Sequence, residues 1–594
     1  MIPLLVLLVT LLACSPRPPQ PVIPQVQPRR VVLLSLDGLA ALRHEHMLAS
    51  QGYAEREGLA SFAREGFSVR RAIPPNPTLT AVGHATIATG RLPQEHGIVA
   101  NRFRPVGGGL GATVSGFDAP WEAKPLWAAA RAQGKKVGVV TFPGCDGTDP
   151  QRQADFFMVY VNQPAAPART VVLEHHAPEE SLATPALKVL FHTGRKPREV
   201  AFAWRPSAAN PDAVEFQLED GSWKVVSVGR WFPLTVRQPH PDGGTQTLGA
   251  WCLLKSLKRE PFRALLYQGA FYGVEAQPRS FRELVEREAG FWPGPPDDRA
   301  LAAGLQGKEG LTLEEYGQQL ERFSQFFTAV TVAALRSLEF DLLLAYQPVV
   351  DEAQHALLFA DPRQPGYSEG LAATSEKFLA WTYQVADRAV ANLTRQLDLT
   401  KDALLVVSDH GIHPVWVQAN LHALLEREGL CRTARLEGRV VLAPDCRLWA
   451  VQGGGVAHLY LNLTASDPTG LTGQVSRERL LLRATEALSR LEADGQPAIE
   501  AVAPREQAAP WGLAHPASGD LVVFPTPGVA LGGQLESPLW VPPPYQGMHG
   551  YLNHHRSMAG VFLARGAGVP RKHLEQASLT QVAPLVAQLL GLTW

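Results

Sequence analysis

The sequence predicts an α/β protein: a mostly parallel central sheet with helices on both faces, interrupted by two inserted subdomains. Three observations carry that expectation. The 594-residue chain is 45% hydrophobic, ample for a large core but too long for one simple domain. Apolar runs alternate with helical patterns over residues 31–165, as βα units do. That alternation breaks near 166 and again near 418, and resumes after each break.

Taken in order, residues 1–14 read as a lipoprotein-type signal. Met1 to Ala13 is almost wholly apolar, yet shorter than the roughly 20 residues that span a bilayer. It ends in Leu11-Leu12-Ala13-Cys14, the pattern of an export signal whose cysteine becomes a lipidated N-terminus, although the usual basic n-region is missing. Residues 15–30 form a Pro-rich linker. The expected location is therefore the periplasm or cell envelope, with membrane attachment through Cys14.

Residues 31–165 form the first part of the core. Val31–Leu36 reads as a strand, Pro125-Leu126-Trp127 opens a helix running toward Gly134, and Lys136–Phe142 is the next strand. Residues 166–310 form a β-rich insertion, with short alternating runs at Val200–Trp204, Val214–Leu218 and Trp223–Val228. Its paired His175 and His176 lie on a polar stretch and read as solvent-facing. Residues 311–417 return to the core with a helical period over Leu311–Leu338 and a strand over Phe340–Tyr346. Residues 418–545 form a mixed α+β cap with a helix over Arg477–Ala493 and strands over Ala457–Leu463 and Asp520–Phe524. Residues 546–594 close the core with a strand at Met558–Leu563 and a helix at Leu579–Leu590.

A net charge of -1 and a pI near 7.0 exclude the global basic field that draws duplex nucleic acid or an anionic membrane. Past Cys14 there are cysteines at 145, 252, 431 and 446. Cys431 and Cys446 are close enough to close one loop, and no CxxC pair offers thiolate ligation of zinc. Nothing in the sequence fixes the oligomeric state.

The chemistry collects at strand ends. One apolar run ends at Asp37, a second leads to Asp351, and a third ends at Asp409-His410; His355 follows Asp351 by four residues. Ligands of open α/β sheets bind at such carboxyl ends. Carboxylate and imidazole together suit borderline divalent metals, zinc first, with manganese or iron as alternatives. Between the first two runs lies Pro77-Thr78-Leu79-Thr80, entering a helix of small residues, and then His96-Gly97-Ile98-Val99-Ala100-Asn101. Gly547-Met548-His549-Gly550-Tyr551 comes late.

In that order these segments resemble the alkaline phosphatase superfamily, and most closely its nucleotide pyrophosphatase/phosphodiesterase branch. The resemblance covers roughly 31–165, 320–415 and 546–594, and Phe142-Pro143-Gly144 is similar to that branch's Trp-Pro-Gly turn. It implies a two-zinc site, with Asp351, His355 and His549 holding one ion. Asp37, Asp409 and His410 hold the other, with Thr80 Oγ as a further ligand. It also implies that Thr80 is the nucleophile, forming a covalent phospho-threonine that water hydrolyses, and that Asn101 and the Thr80 backbone N–H stabilise a non-bridging oxygen. His84, His96, His413, His554 and His555 lie in or near the matched segments and read as packed or supporting groups.

The substrate expected is a small-molecule phosphate ester. No basic pair follows the Lys136–Phe142 strand to hold a doubly charged monoester, which favours phosphodiester or pyrophosphate bonds. Ala81 stands where nucleotide-cleaving members often carry an aromatic after the nucleophile. Trp204, Trp231 or Tyr272 from the insertion are substitutes that the sequence does not place. The alternatives are a phosphomonoesterase, a phosphonate or sulfate ester hydrolase, and a non-catalytic envelope binding protein with a degenerate site.

Overall fold

The computed structural model describes residues 27–145, 149–175, 185–192, 197–462 and 474–594. The signal-like segment, Cys14, most of the linker and His176 lie outside these residues, as does the side chain of His175.

The core is a nine-stranded sheet. In chain order its strands are β1 (Arg30–Leu36), β2 (Phe67–Ile73), β3 (Val137–Val140), β4 (Phe156–Met158), β5 (Ala276–Gln277), β6 (Leu342–Gln347), β7 (Asp402–Val407), β8 (Gly560–Gly566) and β9 (Lys572–Ser578). Across the sheet the order is β5-β4-β3-β6-β1-β7-β8-β2-β9. From β4 to β7 all neighbours are parallel; β5 at one edge and β8 beyond β7 run the other way. The mostly parallel sheet is as the sequence predicts.

β6 and β7 are buried at every position, and β1 at all but Arg30. They read as unbroken apolar runs because both faces are covered. Side chains still alternate across the sheet. Val32, Leu34 and Leu36 enter one hydrophobic layer, while Val31 and Leu33 enter the opposite one. The second layer contains α1 (Thr80–Thr89) and α5 (Val582–Leu590). The first contains α2 (Leu313–Ser337), α3 (Val349–Leu357) and α4 (Glu369–Thr394). A capping box of Thr312 and Glu315 starts α2, satisfying amides that the helix itself leaves unpaired.

Between β4 and β5 the chain leaves the sheet and builds two four-stranded antiparallel sheets over Arg169–Gln268. They share an apolar core that includes Trp204, Phe216 and Phe232. Between β7 and β8 the chain forms a four-stranded antiparallel sheet with a helix, Gln474–Ser489. This part holds the Cys431–Cys446 disulfide; Cys145 and Cys252 are buried thiols. No helix among the described residues is long and apolar enough to cross a membrane.

Candidate active site

The three central strands β6, β1 and β7 are adjacent and parallel, so their carboxyl ends open at one place. Asp37 directly follows β1, Asp351 lies in the first turn of α3 after β6, and Asp409 and His410 follow β7. One turn along α3, His355 shares a face with Asp351. His549 comes from a two-stranded ribbon, Gly547–Met548 paired with His413–Pro414. Thr80 is the first residue of α1. Leu79 occupies the cap position, so the Thr80 hydroxyl makes no capping bond.

Two glycines let these parts meet. Gly83 lies against Asp409, and a Cβ there would stand 2.9 Å from Asp409 Cβ. Gly38 has φ +63°, and a Cβ there would stand 2.6 Å from Asp351 Oδ1.

All eight residues singled out from the sequence border one cluster or its cavity. His355 Nε2 is 3.3 Å from Asp351 Oδ2 and 3.2 Å from His549 Nε2. His410 Nε2 is 3.4 Å from Asp37 Oδ1, 3.2 Å from Asp409 Oδ2 and 3.1 Å from Thr80 Oγ1. The rings of His410 and His549 stack with centroids 3.7 Å apart. Donor atoms of Asp351, His355 and His549 lie within 4.8 Å of one another, as do those of Asp37, Asp351 and His410. Asp351 thus reaches both groups, and Asp409 joins the second through His410. Asn101 lines the same cavity, and its Oδ1 accepts a 2.9 Å bond from the Ala81 N–H.

The donor set fits divalent cations. The Nδ1 atoms of His355, His549 and His410 lie 2.8, 2.9 and 3.1 Å from the backbone oxygens of Gly547, Thr78 and Gly411. A carbonyl only accepts, so each Nδ1 carries the proton and each Nε2 presents a lone pair inward. Two lone pairs 3.2 Å apart at His355 and His549 repel unless a cation, or a proton in its place, lies between them. Asp37 Oδ1, Asp351 Oδ1 and Asp409 Oδ2 are buried without a hydrogen-bond partner. Among the described residues, no Lys or Arg lines this cavity of about 540 Å³.

The electrostatics give the same picture. Burial, and then the charges of Asp409 and Asp351, push Asp37 well above the usual carboxylate range. Burial and the Asp351 charge push Asp409 up to about 8. Burial also works against ionised Asp351 and charged His355. Their mutual attraction outweighs it, holding Asp351 low and raising His355 to about 9. Burial lowers His549 to about 4 and holds His410 well below its ordinary value. Three crowded carboxylates in a dry pocket need positive charge to ionise together.

Sequence reasoning missed Tyr346 and Gln354 as supports, and left His84 as either packed or supporting. Tyr346, at the end of β6, donates its hydroxyl to Asp37 Oδ2. His84 Nδ1 lies 2.8 Å from the Thr80 carbonyl and 3.3 Å from Asp409 Oδ2, while its Nε2 is 2.8 Å from Ser35 Oγ. Gln354 donates to the Gly38 carbonyl at 2.8 Å. A polar tip at the end of an apolar strand was the available signal for Tyr346; nothing local marked Gln354. His96 is buried against Thr86, and His554 and His555 pair with Glu500 away from the cluster. Of the three candidate aromatics, Trp204 is buried in the insertion's core and Trp231 packs against Arg322. Tyr272 lines a neighbouring cavity.

The family model for type I phosphodiesterase/nucleotide pyrophosphatase matches residues 31–255 and 281–552. Ectonucleotide pyrophosphatase/phosphodiesterase family member 3 of Bos taurus is 36% identical over 77 residues, 12% of this chain and 9% of its own length. Family member 7 of Rattus norvegicus is 31% identical over 145 residues, 23% of this chain and 30% of its own length. The matched stretches thus span less than a third of either relative. Among solved structures, human ectonucleotide pyrophosphatase/phosphodiesterase 5 aligns over 95% of both chains at 14% identity, with a TM-score of 0.45.

Proposed function

This chain belongs to the type I phosphodiesterase/nucleotide pyrophosphatase family, and we propose that it hydrolyses phosphodiester or pyrophosphate bonds through a covalent phospho-threonine at Thr80. The observation that carries the reading is the position of Thr80 Oγ1. It is an uncapped hydroxyl at the start of a buried helix, 3.1 Å from His410 Nε2 and beside partnerless carboxylate oxygens.

Asp351, His355 and His549 would hold one divalent cation; Asp37, Asp409 and His410 would hold the second, with Thr80 beside it. When bound, such a pair lowers the pKa of a hydroxyl and neutralises charge building on phosphoryl oxygens, and Asp/His ligation favours zinc. The protein does the rest. Tyr346 fixes the Asp37 carboxylate by a hydrogen bond, His84 packs 3.3 Å from the Asp409 carboxylate, and the backbone carbonyls fix the imidazoles. Thr80 Oγ attacks phosphorus as the bond to the leaving oxygen breaks. Water then cleaves the phospho-threonine and restores the hydroxyl. Asn101, oriented by the Ala81 N–H, has its amide N–H groups free for a non-bridging oxygen.

The absence of Lys and Arg from the cavity lining supports a singly charged diester or pyrophosphate linkage over a monoester. The apolar leader ending at Cys14 supports an exported enzyme, lipid-anchored at that residue. The test of the reaction is a comparison of bis-p-nitrophenyl phosphate with p-nitrophenyl phosphate on zinc-loaded protein. The diester should be cleaved faster; a monoester preference of orders of magnitude would overturn the assignment.

A further inference from the structure

A second cavity, of about 980 Å³, adjoins the first at the seam between the β-rich insertion and the core. The two share Asn162, Asp298, Pro544 and Tyr545 as lining residues. Contacts across the cluster run from Thr80 to His410, from His410 to His549, and from His549 to His355. His355 therefore stands at the end away from Thr80. The Tyr545 ring lies against it, centroid to centroid 4.7 Å, and Tyr545 is 40% exposed.

In-line displacement expels the leaving group opposite the attacking oxygen. With Thr80 attacking, that direction points past His355 to Tyr545 and the second cavity. The two cavities also differ in charge. Among the described residues the first has no Lys or Arg in its lining, whereas the second has Arg169, Arg299 and Arg322 beside Asp297, Asp298 and Glu309. Arg322 lies between the rings of Trp231 and Trp251, at 4.6 and 4.5 Å, and its Nη2 is buried without a partner. Arg299 is exposed and has no hydrogen-bond or ion-pair partner among the described residues. Of the neighbouring acids, Asp297 accepts from Tyr267 and from the Ala300 N–H and Asp298 accepts from Tyr316, while Glu309 also lines the cavity.

Resting on the hydrolase reading above, we propose that this cavity is a leaving-group subsite. Tyr545 is its stacking platform and Arg299 and Arg322 its anion contacts. The substrate is then a diester or pyrophosphate whose leaving group carries both a flat ring and a negative charge of its own. Tyr545 takes the place of the aromatic absent at Ala81, on the opposite side of the cluster.

The test compares a symmetric dinucleoside polyphosphate, in which either orientation presents a nucleotide leaving group, with the methyl ester of a nucleoside 5′-monophosphate, whose departing methanol has neither ring nor charge and whose cleavage is followed by release of the free monophosphate. The readout is the ratio of kcat/KM for the two substrates. Tyr545→Ala and Arg299→Ala should each lower the ratio about tenfold, while Tyr545→Phe holds it. A ratio unchanged in both alanine variants, with the wild type active on both substrates, would overturn the subsite and leave the hydrolase reading standing. A wild type that cleaves neither substrate overturns both.

Discussion

Thr80 is the proposed nucleophile. Thr80→Ala removes its hydroxyl without opening a large void, so turnover should fall by at least about three orders of magnitude while the melting temperature barely moves. Steady-state kinetics and thermal melting check this together; retained turnover would remove Thr80 from the mechanism. His84 and Tyr346 act one step back. Tyr346→Phe deletes one hydroxyl and leaves an Asp37 oxygen without its donor, which should weaken cation affinity about tenfold or more, read by chelator competition. The sequence exposed the ligands more plainly than these supports. Asp37, Asp351 and Asp409 each interrupt or follow an apolar run, which is visible along the chain. Besides the Thr80 carbonyl one turn back, the groups facing His84 lie at Ser35 and Asp409, so that part of its role exists only in the folded site.

At the scale of elements, the approach of α1 to the turn after β7 is what brings Thr80 beside Asp409 and His410. Gly83→Ala puts a methyl 2.9 Å from Asp409 Cβ and 3.0 Å from its carbonyl oxygen. Backbone must shift, so activity should fall although alanine is the better helix former. Gly370, near the start of α4, has nothing within 4 Å of its missing Cβ. Gly370→Ala should instead stabilise the protein, by about 0.5 kcal/mol, with unchanged kinetics. Melting curves and kcat on the two variants separate packing from propensity. The strands β1, β6 and β7 were legible because burial on both faces makes them continuous apolar runs. The two-residue β5 was not, since Ala276–Gln277 has no periodicity and exists only by pairing with Phe157 and Met158. The Cys431–Cys446 loop was readable from spacing alone. With a sequence separation of 15, opening it should cost about 3 kcal/mol in the chain-entropy model.

Across the whole molecule, several histidines are buried in neutral form well away from the cluster. Burial lowers His44 and His458 to about 4 and His96 to about 3. In the unfolded chain each titrates near 6.5. Between about pH 6.5 and pH 4 the unfolded chain therefore binds more protons, so stability should fall as pH falls through that window and level off above it. Denaturant titrations at several pH values on metal-loaded protein check this contribution as the part of the slope lost in His44→Gln and His458→Gln; a slope unchanged in both variants would contradict their neutral burial. The molecule also explains why the substrate side was hidden in the sequence. The second cavity joins residues from the first insertion, α2 and the segment leaving the second insertion, and no single stretch of chain carries its pattern.

The central claim is that side chains from three strand ends and one late ribbon hold two cations around one threonine oxygen. Metal content of the purified, metal-loaded protein tests it most directly, by mass spectrometry against chain concentration. About two divalent cations per chain are expected in the wild type, and about one when His355 and His549 are both replaced by alanine. A wild type that binds none, or a double variant that still binds two, would contradict it.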